Sequence, residues 1–491
     1  MLNNSNNTSN FNQALWLGIG QLCTFAIAFL TAPIMARYFD KVEYATYKQV
    51  LYVYTSLQSL FLMGLPNVFA YFIPRLSQYQ QKSLINKITF YFFLIGIVFS
   101  VALYFSADLL ANLMNNPNLS EGLKIFSPFP LFTLPAMGVE GIYTAIRKTK
   151  YLAFYHIFTK LITFLCIIVP VVFWNTGYKE AIMGWGIASF ISFLLAMFMK
   201  SWPYKGVKSD AIPNINQQIF SYSLPLLGAF IAGFFCSSAD QFFVSRYYGT
   251  QVYAEFINGC ISIPVVGMIA GSVKGVLLPM FSKADKDNEL VSAIVSYTSA
   301  VKNSAVLILP LLIFCIFFSS EIIVALFGEQ YIESSQYFRV FTIRDIVAIF
   351  PYFAILMAFG YSRLYMMIHV WGAFLIWTLD YLIIYLGGSS ILILIVSTLF
   401  YVSCSFTAFI YIYNKKNINL FKSDLLLFLV KILLHCSAVS VIVRLVFPVL
   451  AIDNLYITLG CCVCLYYFVI ILSGKIISIN YMSVMGRLLK R

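Results

Sequence analysis

The residues best placed to do chemistry are ionisable side chains that interrupt long apolar segments. Four lysines do so: Lys160, Lys274, Lys302 and Lys431. A charge at the centre of a bilayer costs about 3 kcal/mol or more, so each lysine needs a ligand, a partner or a route to the membrane surface. An ammonium group held in a cavity would bind phosphate as a point charge. The alternative is a long stem that snorkels to the interface.

Lys274 lies within a stripe of small residues formed by Gly267, Gly271 and Gly275. Glycines four residues apart let another backbone approach closely, or let the helix bend. Lys274 is predicted either to project into a cavity as an anion-binding group or to snorkel to a membrane face about 9 residues, or ~13 Å, away. Lys302 has the same two alternatives, and in the first of them it joins Lys274 around one anion.

Glu140, His156 and Lys160 form a second candidate set. His156 and Lys160 are four residues apart and share one face of a helix, and a short loop brings Glu140 to a comparable depth. An intramembrane acid beside these groups could exchange a proton or bind a cation and so couple transport to a gradient. A static ion pair is the alternative. The corresponding positions of the second half hold His369 and Ala373, so the full set is expected in the first half only.

Asp240 and Arg246 lie six residues apart near the end of another apolar segment. Asp240 could pair with Arg246 or with Arg37, and such a pair is typical of a gate or a structural contact. Direct contact with a substrate is the alternative. Further ionisable residues inside apolar segments are Asp380, Lys431 and His435.

The elements that must position these groups are apolar helices. Of the 491 residues, 61% are hydrophobic and 10% are charged, whereas about a quarter of a soluble domain is charged. This composition predicts an all-α polytopic membrane protein and excludes a soluble enzyme, a disordered chain and a secreted disulfide scaffold. About fourteen spans are predicted, at 14–35, 45–66, 84–105, 125–145, 151–173, 180–200, 218–243, 252–278, 292–318, 337–359, 363–386, 389–413, 424–448 and 453–472, with twelve as the alternative count.

The net charge of +13 is spread over the gaps between spans. If the N-terminus is cytoplasmic, the inside gaps hold roughly twice as many lysines and arginines as the outside gaps, which predicts that both termini are cytoplasmic. A nucleic-acid-binding protein would cluster these residues on one face, so no nucleic-acid partner is expected. The first apolar segment lacks a cleavage site and is predicted to be a retained span.

The ten cysteines all fall in apolar runs. They are predicted to be small buried residues and not disulfides. Cys461, Cys462 and Cys464 could suggest a metal site, but their segment contains no histidine or carboxylate, so no metal and no cofactor is predicted.

An internal repeat divides the chain into two lobes. Similar blocks recur about 210 residues apart in the same order, at 36–47 and 245–256, at 73–77 and 278–282, and at 145–156 and 358–369. An even number of spans in each copy implies parallel repeats related by an axis along the membrane normal. The predicted organisation is a six-helix lobe at 1–200, a cytoplasmic linker at 201–217, a second six-helix lobe at 218–413, two additional helices at 424–472 and a basic tail at 473–491.

Several stretches resemble a known family. They are AxxxAPIMARYFDKVEYATYKQV (28–50), GLPNVFAYFIPRLS (64–77), SLPLLGAFIAGFFCSSADQFFVSRYYG (223–249), VLLPMFSK (276–283) and EIIVALFGEQYIESSQYFRVF (321–341). Over residues 11–415 the chain resembles the polysaccharide flippases (Wzx-type O-antigen transporters) of the multidrug/oligosaccharidyl-lipid/polysaccharide (MOP) exporter superfamily. The resemblance implies fourteen helices in two pseudo-symmetric six-helix lobes around a central cavity, in the bacterial cytoplasmic membrane.

The resemblance also implies a cargo, namely undecaprenyl-pyrophosphate-linked oligosaccharide moved by alternating access. Lys274, Lys302, Lys160 and Arg37 are then candidates to hold its pyrophosphate, since related flippases carry a cavity cation on the helix of Lys274. Coupling to a proton or sodium gradient, and contacts with polysaccharide polymerase and chain-length machinery, follow from the same resemblance. Lipid II flippases place arginines in the first helix, whereas this chain has only Gln13 and Gln21 there before Arg37.

Two other functions compete with this interpretation. A drug or cation antiporter of the same superfamily would share the fold but would need an apolar or acidic cavity. A membrane polysaccharide polymerase or glycosyltransferase is favoured only by Asp285-Lys286-Asp287, which matches a D-x-D metal–sugar pattern. The sequence contains no P-loop, no H-E-x-x-H motif and no long loop for a soluble catalytic domain.

The sequence predicts that Lys274→Ala abolishes transport whereas Lys274→Arg preserves it, because arginine keeps the positive charge. The assay is surface polysaccharide in a bacterium that lacks its own O-antigen flippase and carries this gene with its cognate sugar cluster. Polysaccharide that is restored equally by Lys274→Ala would remove Lys274 from the binding site.

Overall fold

A computed structural model of the chain describes residues 2–62, 64–287, 289–450 and 454–482. Residues 483–491 of the predicted basic tail therefore lie outside the described residues. Contacts divide the chain into two compact units, Met1–Ala254 and Glu255–Arg491. The predicted lobe boundaries stay predictions, and helix 215–247, which the sequence assigns to the second lobe, belongs to the first compact unit.

All regular secondary structure of the described residues is helical. The first unit contains α1 (Leu2–Tyr38), α2 (Lys41–Phe61), α3 (Pro66–Phe72), α4 (Gln78–Leu113), α5 (Asn118–Phe126), α6 (Pro130–Ala136), α7 (Val139–Ala145), α8 (Thr149–Trp174), α9 (Tyr178–Ser201) and α10 (Ile215–Tyr247). The boundary between the units falls within α11 (Gly249–Gly259). The second unit continues with α12 (Pro264–Asp287), α13 (Leu290–Phe317), α14 (Ser319–Phe327), α15 (Ser334–Ile346), α16 (Tyr352–Ala358), α17 (Ser362–Tyr385), α18 (Ser390–Lys416), α19 (Ser423–Leu450) and α20 (Leu455–Ser473).

Among the described residues, 11 helices are long and apolar enough to cross a membrane. The number rises to 13 if each of two bent helix pairs counts as one span. The first pair is Lys41–Phe61 with Pro66–Arg75, bent by 51°, and the second is Asn118–Phe126 with Pro130–Ala145, bent by 50°. The predicted span 218–243 lies within α10. Several side chains of α10 are outside the part of the chain that the structure describes. The all-α polytopic fold class is confirmed.

The predicted continuous span 252–278 is wrong. Helix α11 ends at Gly259 and α12 begins at Pro264. Proline lacks a backbone N–H and is well suited to the first turn of a helix, so a new helix begins there. The predicted spans 45–66 and 125–145 are also interrupted, and at Gly138 the backbone adopts φ +91°, a conformation that favours glycine.

Charged side chains supply partners at two of these breaks. Lys200 is only 4% exposed, and its ammonium donates to the Pro135 carbonyl at the end of α6 over 2.6 Å. In the second unit, the Asp345 carboxylate on α15 accepts from the N–H of Ile263, just before α12, over 3.4 Å. The signs of both charges complement the helix dipole. Lys200, the last residue of the predicted span 180–200, is therefore buried in the structure.

A buried polar network connects α2 to the turn after α4 and to α10. The Asn116 amide donates to Thr46 Oγ1 over 2.9 Å and to Gln49 Oε1 over 2.5 Å. The Gln49 amide in turn donates to Ser245 Oγ over 2.6 Å. All four residues are buried, so these bonds replace water and fix one arrangement of the elements.

The predicted linker 201–217 is attached to the first part of α4, which starts with a capping box at Ser77. Its hydrogen bonds run from Lys82 Nζ to the Val207 carbonyl (2.7 Å), from the Tyr204 hydroxyl to Gln81 Oε1 (2.9 Å) and from the Tyr91 hydroxyl to Asn216 Oδ1 (2.7 Å). The segment is therefore fixed to the first unit at several points.

In the second unit, α13 is the most buried of the candidate spans and packs against α12, α15 and α19. The segment after α20 folds back onto α19 through His435. Its Nδ1 lies 3.0 Å from the Tyr481 hydroxyl and its Nε2 lies 2.8 Å from Ser473 Oγ. Because Ser473 donates its own hydrogen to the Val469 carbonyl, Nε2 carries the imidazole proton and Nδ1 accepts from Tyr481. His435 therefore anchors the C-terminal segment.

We predict that Lys200→Met destabilises the protein by about 1–3 kcal/mol, because it leaves the Pro135 carbonyl without its charged donor. The midpoint of thermal unfolding in detergent measures this effect. Lys205→Met is the matched control, since Lys205 is exposed and its side chain has no hydrogen-bond partner among the described residues. Equal midpoints for the two variants would contradict the assigned role of Lys200.

Candidate functional site

Two lysines converge on one cavity in the first unit. The cavity has a volume of about 200 Å³ and lies between α1, α2, α8 and α9. Lys48 on α2 and Lys160 on α8 line it, together with Thr31, Thr163 and Trp185. None of the described residues that line it is an aspartate or a glutamate. Two ammonium groups without a carboxylate make this cavity suitable for an anion.

The local sequence explains the position of Lys48. Asp40 caps α2 by accepting from the N–H groups of Val42 and Glu43, each over 2.8 Å, and so fixes the start of the helix. Lys48 then lies two turns into the helix, where it is half-buried. Its Nζ lies 5.3 Å from the centroid of the Tyr44 ring, which is within cation–π range.

Neither lysine of this cavity is neutralised by another described residue. No hydrogen bond or ion pair to the ammonium of Lys48 or Lys160 occurs in the described part of the chain. Thr31 and Thr163 donate their hydroxyl hydrogens to carbonyls in the preceding helical turn, at 2.9 and 2.8 Å. The two ammonium groups are thus the cavity's free charged donors among the described residues.

Sequence reasoning missed Lys48, which lies near the start of the predicted span 45–66 and is not among the four lysines identified within apolar segments. One signal could have found it. Asp40 is a strong helix N-cap residue, and a helix that starts at Lys41 places Lys48 about 10 Å from its first turn.

A second cavity of about 630 Å³ adjoins the breaks after α2 and α6. It is lined by Glu140 and His156, and also by Asn67, Thr133 and Tyr155. The structure therefore brings Glu140 and His156 to one cavity, as predicted, whereas Lys160 lines the cavity of Lys48. These residues are all described, and no nitrogen of His156 or Lys160 lies within 4 Å of a Glu140 oxygen. The coupling role of Glu140 and His156 stays a prediction.

The Arg246 guanidinium binds the C-terminal end of α4 in the structure. Its Nη1 donates to the carbonyl of Leu113, the last residue of α4, over 2.7 Å, and a cation is favourable at a helix C-terminus. Asp240 is buried on α10 near Tyr52, and Arg37 is exposed at the end of α1. Their predicted parts in a gate or in substrate binding stay predictions.

In the second unit, Lys274 is exposed on α12. A Cβ atom built on Gly267, Gly271 or Gly275 would have no heavy atom of the described chain within 4 Å. The glycine stripe therefore faces open space in this conformation. Lys302 lines a different cavity with Lys422 and does not share that cavity with Lys274, so the predicted joint site of these two lysines stays a prediction.

Asp285, the first carboxylate of the D-x-D pattern, forms an ion pair with Lys416. Lys416 Nζ donates to Asp285 Oδ1 over 2.6 Å and lies 5.4 Å from the centroid of the Phe359 ring. A carboxylate held by a lysine is less available as a metal ligand. This contact connects the ends of α12 and α18 and gives the pattern a structural explanation.

Comparisons with known proteins agree with a transporter. A sequence profile of the family described as "Polysaccharide biosynthesis protein" matches residues 74–336. The succinoglycan biosynthesis transport protein ExoT of Rhizobium meliloti (strain 1021) is 22% identical over 326 residues. The match covers 64% of this chain and 62% of that relative, which is less than two thirds of the relative's length.

The same fold occurs in several solved transporter structures. The lipid II flippase MurJ in an inward closed conformation superposes with a TM-score of 0.69 at 16% identity, over 94% of this chain and 100% of that chain. An inward-facing multidrug resistance MATE family transporter of the MOP superfamily gives 0.63 at 13% identity, over 82% and 99% of the two chains. A MOP superfamily transporter from Pyrococcus furiosus gives 0.60 at 11% identity, over 82% and 94%. Such low identities establish the fold alone, and this is the predicted MOP fold.

We predict that the purified protein binds inorganic pyrophosphate and that Lys48→Gln and Lys160→Gln each weaken binding about 10- to 100-fold, as expected for loss of a charge-assisted hydrogen bond. Calorimetric titration in detergent measures the affinity. Lys150→Gln is the control, because Lys150 lies on α8 but is exposed outside the cavity. An affinity that is insensitive to both cavity substitutions would show that the anion binds elsewhere.

Proposed function

Because the chain belongs to the polysaccharide biosynthesis protein family and has the fold of MOP superfamily transporters, we propose that it is a flippase for undecaprenyl-pyrophosphate-linked oligosaccharide. The cargo is an O-antigen or related surface-polysaccharide repeat unit, moved from the cytoplasmic to the periplasmic leaflet. The observation that carries this proposal is the cavity between Lys48 and Lys160, which presents two cations and no carboxylate among its described lining residues.

The chemistry of the cargo matches this cavity. A pyrophosphate diester carries two negative charges, and two ammonium groups on separate helices can each hold one phosphoryl group. Trp185 and the hydroxyls of Thr31 and Thr163 lie beside them, and they supply a stacking surface and acceptors for the first sugars. The prenyl chain stays in the lipid. Lys274 and Arg37 are further candidates for contact with the pyrophosphate during transport.

The second cavity supports a coupling step. Glu140 and His156 line it at the breaks after α2 and α6, and broken helices are the usual site of ion binding in transporters with repeats. We assign to this pair the uptake of a proton or a cation. Uptake alters the charge one helical turn from Lys160, so it can change how firmly the first cavity holds its anion.

The distribution of lysine and arginine supports an orientation with both termini in the cytoplasm. Multiple membrane spans and the polysaccharide family are in accord with the inner membrane of a bacterium. A polysaccharide polymerase and chain-length machinery are the proposed partners, since a translocated repeat unit must be consumed on the far side of the membrane.

A cation or drug antiporter is the second candidate, and one observation favours it. The second cavity contains an exposed carboxylate, Glu140, which could bind an organic cation. Resistance to cationic drugs therefore distinguishes the two candidates.

Surface polysaccharide in the flippase-deficient bacterium tests the proposal. Wild-type protein should restore the polysaccharide, the double variant Lys48→Gln/Lys160→Gln should reduce it at least about tenfold, and Lys48→Arg/Lys160→Arg should preserve it, because the charge-assisted contacts are kept. Lys150→Gln is the control, and immunoblotting of membranes verifies that each variant is present.

Two outcomes would contradict the proposal in different ways. Full restoration by the double glutamine variant would keep the flippase and reject the site. Absence of restoration by membrane-located wild type, together with increased resistance to cationic drugs that Glu140→Gln removes, would identify the antiporter.

A further inference from the structure

The second unit contains a cavity that neither the family nor the transport site explains. Its volume is about 510 Å³, and it lies between α13, the start of α19 and the segment after α20. Among the described residues, three charged side chains line it, namely Lys302, Lys422 and Asp424. Ser299, Asn303, Ser478 and Asn480 add polar groups. The described lining residues of the Lys48–Lys160 cavity and of this cavity do not overlap.

The ends of two helices define the depth of this cavity. Lys302 lies about 18 Å along α13 from Leu290 at the usual helical rise, which suggests a position deep in the membrane. Its neighbours in the cavity, however, are Lys422 and Asp424 at the start of α19 and Ser478 beyond the end of α20. Helix ends with polar residues mark the interface between hydrocarbon and water. The cavity therefore lies at headgroup level, and α13 extends past it.

The charges in the cavity do not neutralise one another. Lys302, Lys422 and Asp424 are all described, and no nitrogen of the lysines lies within 4 Å of an Asp424 oxygen. The ammonium of Lys302 instead lies 5.2 Å from the centroid of the Phe428 ring, within cation–π range. Two cations and one anion thus surround a space large enough for a small polar ligand.

Exposed apolar side chains continue along the helices from this headgroup level into the membrane. Leu427 and Leu434 on α19 and Phe468 and Leu472 on α20 are each more than half exposed. In a membrane protein such side chains contact acyl chains. A ligand of this cavity would therefore have a charged head between the helix ends and apolar chains along their lipid-facing sides.

We propose that this cavity binds a phospholipid with a phosphoethanolamine headgroup. The phosphate lies between the ammonium groups of Lys302 and Lys422, the lipid's own ammonium faces Asp424, and the acyl chains follow the exposed apolar side chains. The pattern of two cations and one carboxylate matches a zwitterionic headgroup better than an anionic one, because Asp424 repels additional negative charge. The lipid connects α13, α19 and the C-terminal segment, and its binding does not depend on the proposed transport function.

Native mass spectrometry of the full-length protein tests this proposal. Delipidated protein is mixed with phosphatidylethanolamine, phosphatidylglycerol or inorganic phosphate in detergent. Wild type should retain phosphatidylethanolamine in preference to phosphatidylglycerol. Lys302→Gln/Lys422→Gln should lower its retention about tenfold, as expected for lost charge-assisted contacts. Asp424→Asn should shift the preference toward phosphatidylglycerol, and excess inorganic phosphate should not displace the lipid.

Controls within the same unit separate this site from general surface charge. Lys283→Gln and Asp287→Asn change exposed residues that do not line the cavity, and both should retain lipid as wild type does. Asp424 is exposed, so Asp424→Asn remains informative if the double lysine variant does not fold. The proposal is overturned by unchanged retention in the double lysine variant, by equal retention of both lipids in wild type, or by displacement with phosphate, which would identify a site for a free anion.

Discussion

The structure depends on a constraint that applies to every helix ending within a membrane protein: its last carbonyls and first N–H groups need partners where water is scarce. Two charged residues meet this requirement. The Lys200 ammonium binds the end of α6 at Pro135, and the Asp345 carboxylate binds the start of α12 at Ile263. A cation at a C-terminus and an anion at an N-terminus agree with the helix dipole. Because these ends are satisfied, the helices can break, and the break after α6 opens the cavity that contains Glu140.

The two cavities of the first unit keep the lysines Lys48 and Lys160 apart from the carboxylate of Glu140. Lys48 and Lys160 face one cavity and Glu140 faces another, although His156 and Lys160 are one helical turn apart on α8. If Glu140 contacted Lys160, the carboxylate and the ammonium would neutralise each other, and neither charge would be available to bind a ligand. The separation gives one unit two sites of different polarity that remain close enough to influence each other. That arrangement suits a carrier that must exchange a large anionic cargo against a small ion.

The sequence was sufficient for the parts of the fold that local pattern determines. Long apolar runs predicted helices such as α4, α8 and α18, because burial and backbone satisfaction in lipid leave few alternatives. The sequence did not predict the surroundings of side chains whose neighbours come from distant parts of the chain. Lys48 was missed because its cavity exists only once α1, α8 and α9 surround α2. Lys302 was paired with Lys274, whereas α19 and the C-terminal segment form its surroundings.

The cavity of Lys48 and Lys160 has an energetic consequence for the empty carrier. Under the proposed function, bound pyrophosphate compensates both ammonium charges, so that the cavity could close without leaving charge exposed to a medium of low polarity. Closure without cargo would strip water from two like charges, which is strongly unfavourable. The loaded protein would then change conformation more easily than the empty one, and the return of the empty carrier would be the slow step unless a substitute anion occupied the cavity.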